Sequence, residues 1–126
     1  MNVLLDTCAL LALTRGDLPA ESASKLSTAG EACVSVVSPW EVALKERAGK
    51  LRLSEPVLTW FAGLVERHDL RELSLDARIA CRAAALPPIH RDPFDRILVA
   101  IAQTHSLVVV TSDSRIARYP GVTALW

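Results

Sequence analysis

Little in this chain speaks for oxidation, secretion or a membrane. Its three cysteines, Cys8, Cys33 and Cys81, lie far apart in apolar settings, with no Cys-x-x-Cys. An odd count without pairing excludes a disulfide framework and predicts reduced thiols. The cysteines and histidines show no zinc spacing. No apolar run approaches the ~20 residues of a membrane span. Asp6 interrupts the first apolar segment, so no basic-then-apolar leader is legible. Charge of one sign is also missing: 14 Lys and Arg balance 14 Asp and Glu. That excludes the strongly basic profile of a general nucleic-acid coat protein, though not a local basic rim. Internal repeats, low-complexity tracts and linkers are absent. The expectation is a cytoplasmic protein with one domain over residues 1–126 and ample core material, since 51% of residues are apolar.

What is present centres on residues 90–102, His-Arg-Asp-Pro-Phe-Asp-Arg followed by Ile-Leu-Val-Ala-Ile-Ala. Asp92 fits a helix N-cap and Pro93 the first helical position. Asp95 falls in the first turn. Ile97, Leu98, Ile101 and Ala102 repeat at a helical period, so this helix buries a wide face and presents acids at its mouth.

The remaining chain alternates strands and helices. Val3-Leu4-Leu5 reads as a strand covered on both faces, ended by Asp6 and followed by a helix to about Gly16. A helix from Pro19 to about Gly30 precedes a strand over 33–37. Ser38-Pro39-Trp40-Glu41 then has the form of a capping box opening a helix to about Ala48. Glu55-Pro56 starts a helix to about Arg67, residues 70–75 form a peripheral strand, and Asp76 to about Leu86 form an Ala-rich helix. Leu107 to Val110 make a central β-branched strand ending in Thr111-Ser112-Asp113. A short turn to Arg118 and an edge strand over 122–125 complete the chain. This order predicts a three-layer α/β/α sandwich with a mostly parallel central sheet. Ligands of such sheets bind outside the carboxyl ends of the strands.

Asp6, Glu41, Asp95 and Asp113 would all converge on that edge. Each has a plain structural reading as cap, capping-box member or first-turn charge. Capping does not require carboxylates everywhere, however, because Ser, Thr and Asn serve as well. Two carboxylates at ~4 Å repel by about 4 kcal/mol at an effective dielectric near 20. Helix N-termini offset only about 0.3–1 kcal/mol each. Protons or a cation must supply the rest, and oxygen-only ligands select hard ions such as Mg²⁺ or Mn²⁺. The matching chemistry is phosphodiester hydrolysis.

Leu4-Leu5-Asp6-Thr7, Ser38-Pro39-Trp40-Glu41-Val42, Asp92-Pro93-Phe94-Asp95-Arg96 and Val110-Thr111-Ser112-Asp113 resemble, in order and spacing, the PIN-domain nucleases. More narrowly they resemble the VapC-type toxins of bacterial toxin–antitoxin modules. The resemblance spans essentially the whole chain. It implies a metal-dependent endoribonuclease toxin whose catalytic and metal-binding acids are Asp6, Glu41, Asp95 and Asp113, with Mg²⁺ as cofactor and Mn²⁺ able to substitute. Asp92 is either an outer ligand or only a cap, and Thr111 or Ser112 is a candidate for orienting a water. The resemblance further implies an RNA substrate, a homodimer and a cognate antitoxin lying across the active-site groove. Trp40, Trp60 and Phe61 are candidates for that contact, with core packing as the plain alternative. Lys45, Arg91, Arg96 and Arg115 are candidates for holding RNA phosphates, or are solvated or acid-paired charges. His90 and His105 are not expected as ligands.

Two rivals remain. One is another Mg²⁺-dependent phosphohydrolase on a similar sheet. A haloacid-dehalogenase-like phosphatase wants Asp-x-Asp after the first strand, where Cys8 stands here. A receiver domain wants an acid on a middle strand, which here ends in Val37-Ser38. The other rival is a non-enzymatic partner-binding module whose acids are all caps.

Overall fold

A computed structural model describes residues 1–126. Five strands form one parallel sheet: β1 (Asn2–Leu5), β2 (Glu31–Ser35), β3 (Arg71–Leu73), β4 (Val108–Val110) and β5 (Ala124–Leu125). Six α-helices connect them: α1 (Thr7–Arg15), α2 (Ala20–Thr28), α3 (Val37–Arg47), α4 (Val57–Arg67), α5 (Ala77–Ala85) and α6 (Pro93–His105). The order across the sheet is β3-β2-β1-β4-β5, so β1 is central as its apolar run predicts. Leu4 lies opposite Cys33 of β2 and Val109 of β4.

Strand alternation divides the core in two. Leu4, Cys33 and Val109 face one side and pack with Ile79 and Ala83 of α5 and Leu98 and Ile101 of α6. Val3, Leu5, Val34 and Val110 face the other, against Leu10 of α1, Val42 of α3 and Trp60, Phe61 and Leu64 of α4. The result is the three-layer sandwich expected from the sequence. Of the two readings open for Trp60 and Phe61, partner contact or core packing, the structure shows core packing, with each 3% exposed. Burial of the indole is supported by a hydrogen bond from Trp60 Nε1 to Thr14 Oγ1 at 2.9 Å.

The topology fixes where a site can form. The chain moves outward from β1 to β2 and β3, then crosses back to β4 on the other side of β1. The carboxyl ends of β1 and β4 therefore flank a topological switch point, the crevice where open parallel sheets bind ligands.

One local expectation fails. The second strand ends at Ser35, not Val37, and α3 starts at Val37, so Ser38 is inside the helix. Ser35 Oγ accepts from Val37 N at 3.1 Å, which turns the chain into the helix early. Ser38 Oγ accepts from Thr7 Oγ1 at 3.1 Å, tying the starts of α1 and α3 together below the sheet edge. No capping box forms, and Glu41 becomes the fifth helical residue with no cap to serve.

Candidate active site

Asp6 caps α1. Its Oδ1 accepts from Ala9 N at 2.8 Å, and its own N–H donates to Val110 O at 3.2 Å, which seats it between β1 and β4. The cap occupies one oxygen of a carboxylate that is almost wholly buried. Burial pushes its pKa up to about 6, with Glu41 and Asp113 adding repulsion and the Thr111 hydroxyl and Ala9 N–H partly opposing.

Glu41 enters the same space from α3. It is 6% exposed. Its Oε2 pairs with Lys45 Nζ at 3.1 Å, one helical turn on, while its Oε1 is buried with no hydrogen-bond partner. An unpartnered buried carboxylate oxygen is costly, on the order of 1–3 kcal/mol or more, and calls for an explanation.

Asp95 lies in the first turn of α6, behind the Asp92 cap, whose Oδ1 accepts from Phe94 N at 2.9 Å. Burial first, then repulsion from Asp92, Glu41 and Asp6, drives Asp95 up to about 7, against an opposing attraction from His90. Asp113, beyond β4, is held in the opposite sense. Its Oδ1 accepts from Arg115 N at 2.9 Å and Nε at 3.0 Å, and its Oδ2 from Arg115 Nη2 at 2.9 Å. The Arg115 guanidinium holds this carboxyl well below the usual range. Thr111 Oγ1 accepts from Asp113 N at 3.0 Å and fixes the turn that delivers it.

The structure thus brings Asp6, Glu41, Asp95 and Asp113 together at the switch point, with Asp92 beside Asp95. It adds one residue that the sequence argument set aside. His90 is 5% exposed. Its Nε2 hydrogen-bonds Asp113 Oδ2 at 2.8 Å and lies 3.0 Å from Asp95 Oδ2. Its Nδ1 accepts from Asp92 N at 3.1 Å. An accepting Nδ1 leaves the proton on Nε2, so a neutral ring already donates toward the acids. His90 braces the carboxylates; in this tautomer it has no lone pair to offer an ion. The only sequence signal for it was its place two residues before the Asp92 cap. His105, by contrast, ends α6 at the opposite edge of the sheet.

The basic residues divide. Lys45 and Arg115 are paired with Glu41 and Asp113. Arg91 is exposed at the mouth of α6. Arg96, a sequence candidate for phosphates, is turned away from the acids. Its guanidinium donates to the carbonyls of Ala83 (2.9 Å), Leu86 (2.8 Å) and Pro87 (2.9 Å), closing the end of α5 onto α6. Ser112 Oγ is exposed, 3.1 Å from Cys8 Sγ.

The donor set is one of carboxylate oxygens, crowded beyond what the neighbouring cations neutralise. Glu41 has a buried oxygen unsatisfied, and Asp6 and Asp95 resist ionisation. That chemistry fits a hard divalent cation: Asp95 and Asp113, with His90, have ligand atoms within 4.8 Å of one another, and Asp6 and Glu41 are the further acids that could complete the set.

Comparison with known proteins shows the family and the fold. A family model described as PIN domain matches residues 3–122. Ribonuclease VapC22 of Mycobacterium tuberculosis is 33% identical over 101 residues, covering 78% of this chain and 76% of the relative. The crystal structure of VapBC2 from Rickettsia felis, bound to a promoter DNA fragment, aligns with a TM-score of 0.71 at 14% identity, covering 99% of this chain and 98% of that one. DNA-bound VapBC from Salmonella typhimurium aligns with a TM-score of 0.71 at 22% identity over 99% and 97%. At these identities the two structures speak to the fold.

Proposed function

The chain belongs to the PIN-domain family, and from that premise we propose that it is a metal-dependent endoribonuclease, the toxin of a toxin–antitoxin pair. The observation that carries the metal dependence is the buried, unpartnered Oε1 of Glu41 facing the uncompensated charge of Asp6 and Asp95. Mg²⁺ or Mn²⁺, when bound, supplies the missing positive charge and lowers the pKa of water for attack on phosphorus. In the hydrolysis a water oxygen bonds phosphorus, the ester P–O bond breaks and the leaving oxygen takes a proton.

The residues have separate tasks. Asp6, Glu41, Asp95 and Asp113 hold the ion, with Asp92 as the cap that sets Asp95 at the mouth of α6. Thr111 fixes the turn carrying Asp113, and His90 sets the spacing of Asp95 and Asp113. Lys45 pairs with one oxygen of Glu41 along α3 and leaves the other, buried and without a partner, for the ion. Arg91 stands where a phosphate of the RNA backbone passes.

The name Ribonuclease VapC22 supports RNA as the substrate; the resemblance of the sequence motifs adds a cognate antitoxin, a homodimer, the cytoplasm, and one PIN-like domain over residues 1–126 as the toxin. No helix is long and apolar enough to cross a membrane.

The test is cleavage of total and transfer RNA by antitoxin-free protein with Mg²⁺ or Mn²⁺, with chelator, and with Asp95→Asn. Discrete fragments that need both the metal and Asp95 are expected. Cleavage that survives chelator, or that Asp95→Asn leaves intact, refutes the metal mechanism. No cleavage together with no Mn²⁺ binding refutes the nuclease reading itself.

A further inference from the structure

Beside the acid cluster lies a groove of about 430 Å³ between α3 and the mouth of α6. Glu41 and Asp92 stand among its lining residues, so it opens directly from the site. Its apolar lining includes Leu44 and Phe94, and Lys50 and Arg91 line it as well. Against Phe94 stands Trp40, with ring centroids 4.9 Å apart and planes at 80°. That edge-on contact fixes the indole but leaves it 55% exposed, whereas Trp60 is 3% exposed. Leu44, one helical turn beyond Trp40, is 46% exposed. An exposed apolar face next to a charged centre marks a contact surface.

The cations make the face specific. Lys50 and Arg91 are exposed, and neither makes a hydrogen bond or ion pair through its side chain. Both are presented by fixed backbone. Lys50 N donates to Lys45 O at 2.9 Å, across a turn in which Gly49 takes φ +75°. Arg91 is pinned on both sides: His90 N donates to Tyr119 Oη at 2.8 Å and Asp92 N to His90 Nδ1 at 3.1 Å. An exposed ring packed on the groove's Phe94, with two unpaired, positioned cations in the groove's lining, is complementary to an unstacked nucleobase and its phosphates. It is a poorer match to an apolar helix, which would leave Lys50 and Arg91 without partners.

We propose that this groove is a single-stranded RNA subsite, in which Trp40, braced by Phe94, stacks on one unpaired base next to the scissile phosphate while Lys50 and Arg91 hold the flanking phosphates. The proposal rests on the nuclease reading and adds a substrate requirement: an extruded or unpaired base beside the cut. A base stacked within a duplex could not reach Trp40.

The test is equilibrium anisotropy of a fluorescein-labelled adenosine decamer and of the matching abasic ribose-phosphate decamer. Binding is measured in Mn²⁺ on the Asp95→Asn background, so that the strand stays intact. Trp40→Ala is expected to weaken binding of the adenosine strand by about 5- to 150-fold, the range of one base–aromatic stack. It should leave the abasic strand unchanged, and Trp40→Phe should retain most of the affinity. Lys50→Gln and Arg91→Gln should weaken both strands and each reduce the salt slope by about 0.7.

Equal binding of the adenosine strand with and without Trp40 overturns the subsite, as does an equal loss on both strands. So does a loss of dimer, or of affinity for an antitoxin chain, in Trp40→Ala with RNA binding unchanged. In each of these cases metal-dependent cleavage by the wild type persists and the nuclease reading stands. A wild type that neither binds nor cleaves RNA overturns both.

Discussion

Asp113 and Asp95 approach the same nitrogen, His90 Nε2, at 2.8 and 3.0 Å, yet the protein holds them in opposite states. Asp113 is gripped by the backbone and guanidinium of Arg115 and ionises readily. Asp95 is more deeply buried, has three acids near it and pairs with no Lys or Arg, and its pKa is pushed up to about 7. Two carboxylates a few ångströms apart thus differ because Asp95 is buried among acids while Asp113 is more open and gripped by Arg115. Asp6 and Glu41 belong with Asp95: one is raised to about 6 by burial, the other has an orphaned oxygen. The site is therefore half neutralised by the protein and half left for a cation.

The largest effect that separates the halves is mutational. Asp95→Asn and Asp113→Asn should each reduce metal-dependent cleavage by about 10³-fold or more, since each removes a charged ligand where several kcal/mol of stabilisation is needed. Their metal-free stabilities should move apart. Asn at position 95 still offers His90 an acceptor and relieves repulsion, so the melting temperature at pH 8 in chelator should rise. Asn at position 113 loses the Arg115 ion pair, which is half exposed and worth only about 0.5–1 kcal/mol after screening, so its melting temperature should fall slightly. Parallel shifts in the two variants would remove the distinction.

The pH dependence is next. Asp6 and Asp95 have folded pKa values above the ordinary carboxylate value, so between pH 4 and 7 the folded chain binds more protons than the unfolded one. Their contribution is full below about pH 4 and is lost as pH rises through about 6 and about 7. At 1.36 kcal/mol per pH unit, the shifts correspond to roughly 3 kcal/mol for Asp6 and roughly 4 kcal/mol for Asp95. Asp113 has the opposite sign: its contribution is present above the ordinary carboxylate pKa and is lost only at more acid pH. In chelator, urea denaturation should therefore show stability falling from pH 5 to pH 8. Mn²⁺ should flatten that slope by favouring the ionised acids. A metal-free protein that is more stable at pH 8 than at pH 5 would contradict the uncompensated half of the site.

The two halves were not equally legible in the sequence. Asp6 and Asp92 are caps as their positions predict. In a parallel sheet the chemistry that starts a helix after a strand also places a carboxylate at the binding edge, so local rules sufficed. For Glu41 the plain structural alternative, a capping box, fails although Ser38, Pro39 and Glu41 fit that pattern. Its real setting depends on Ser35 ending the strand early and on Thr7 engaging Ser38 from 31 residues away. Nearness to Asp95 in sequence makes Arg96 a candidate for a phosphate or an acid pair, but the fold directs it to the open carbonyls at the end of α5. Trp40 and Trp60 carry the same side chain to opposite environments, and the tertiary packing of α4 against the sheet, α1 and α3 distinguishes them. His90 was set aside for a similar reason: its partners include Tyr119, 29 residues on.

His90 links the two halves, and its variants give the smallest effect expected here. The terminal amide of Gln approximates the position of Nε2, and that of Asn approximates Nδ1. His90→Gln can donate toward Asp95 and Asp113 but loses the acceptor for Asp92 N. His90→Asn keeps that acceptor and loses the donor. If the ring acts by holding the carboxylates, His90→Gln should retain more Mn²⁺ affinity and more cleavage than His90→Asn, by about 10-fold. That is the size of one hydrogen bond to a charged group. If it acts by shaping the turn into α6, the order reverses, because the Asp92 N–H is then the contact that matters. Isothermal titration with Mn²⁺ reads the difference without turnover, and thermal melts separate it from loss of fold. The sign of the gap between the two variants states which side of the imidazole the site depends on.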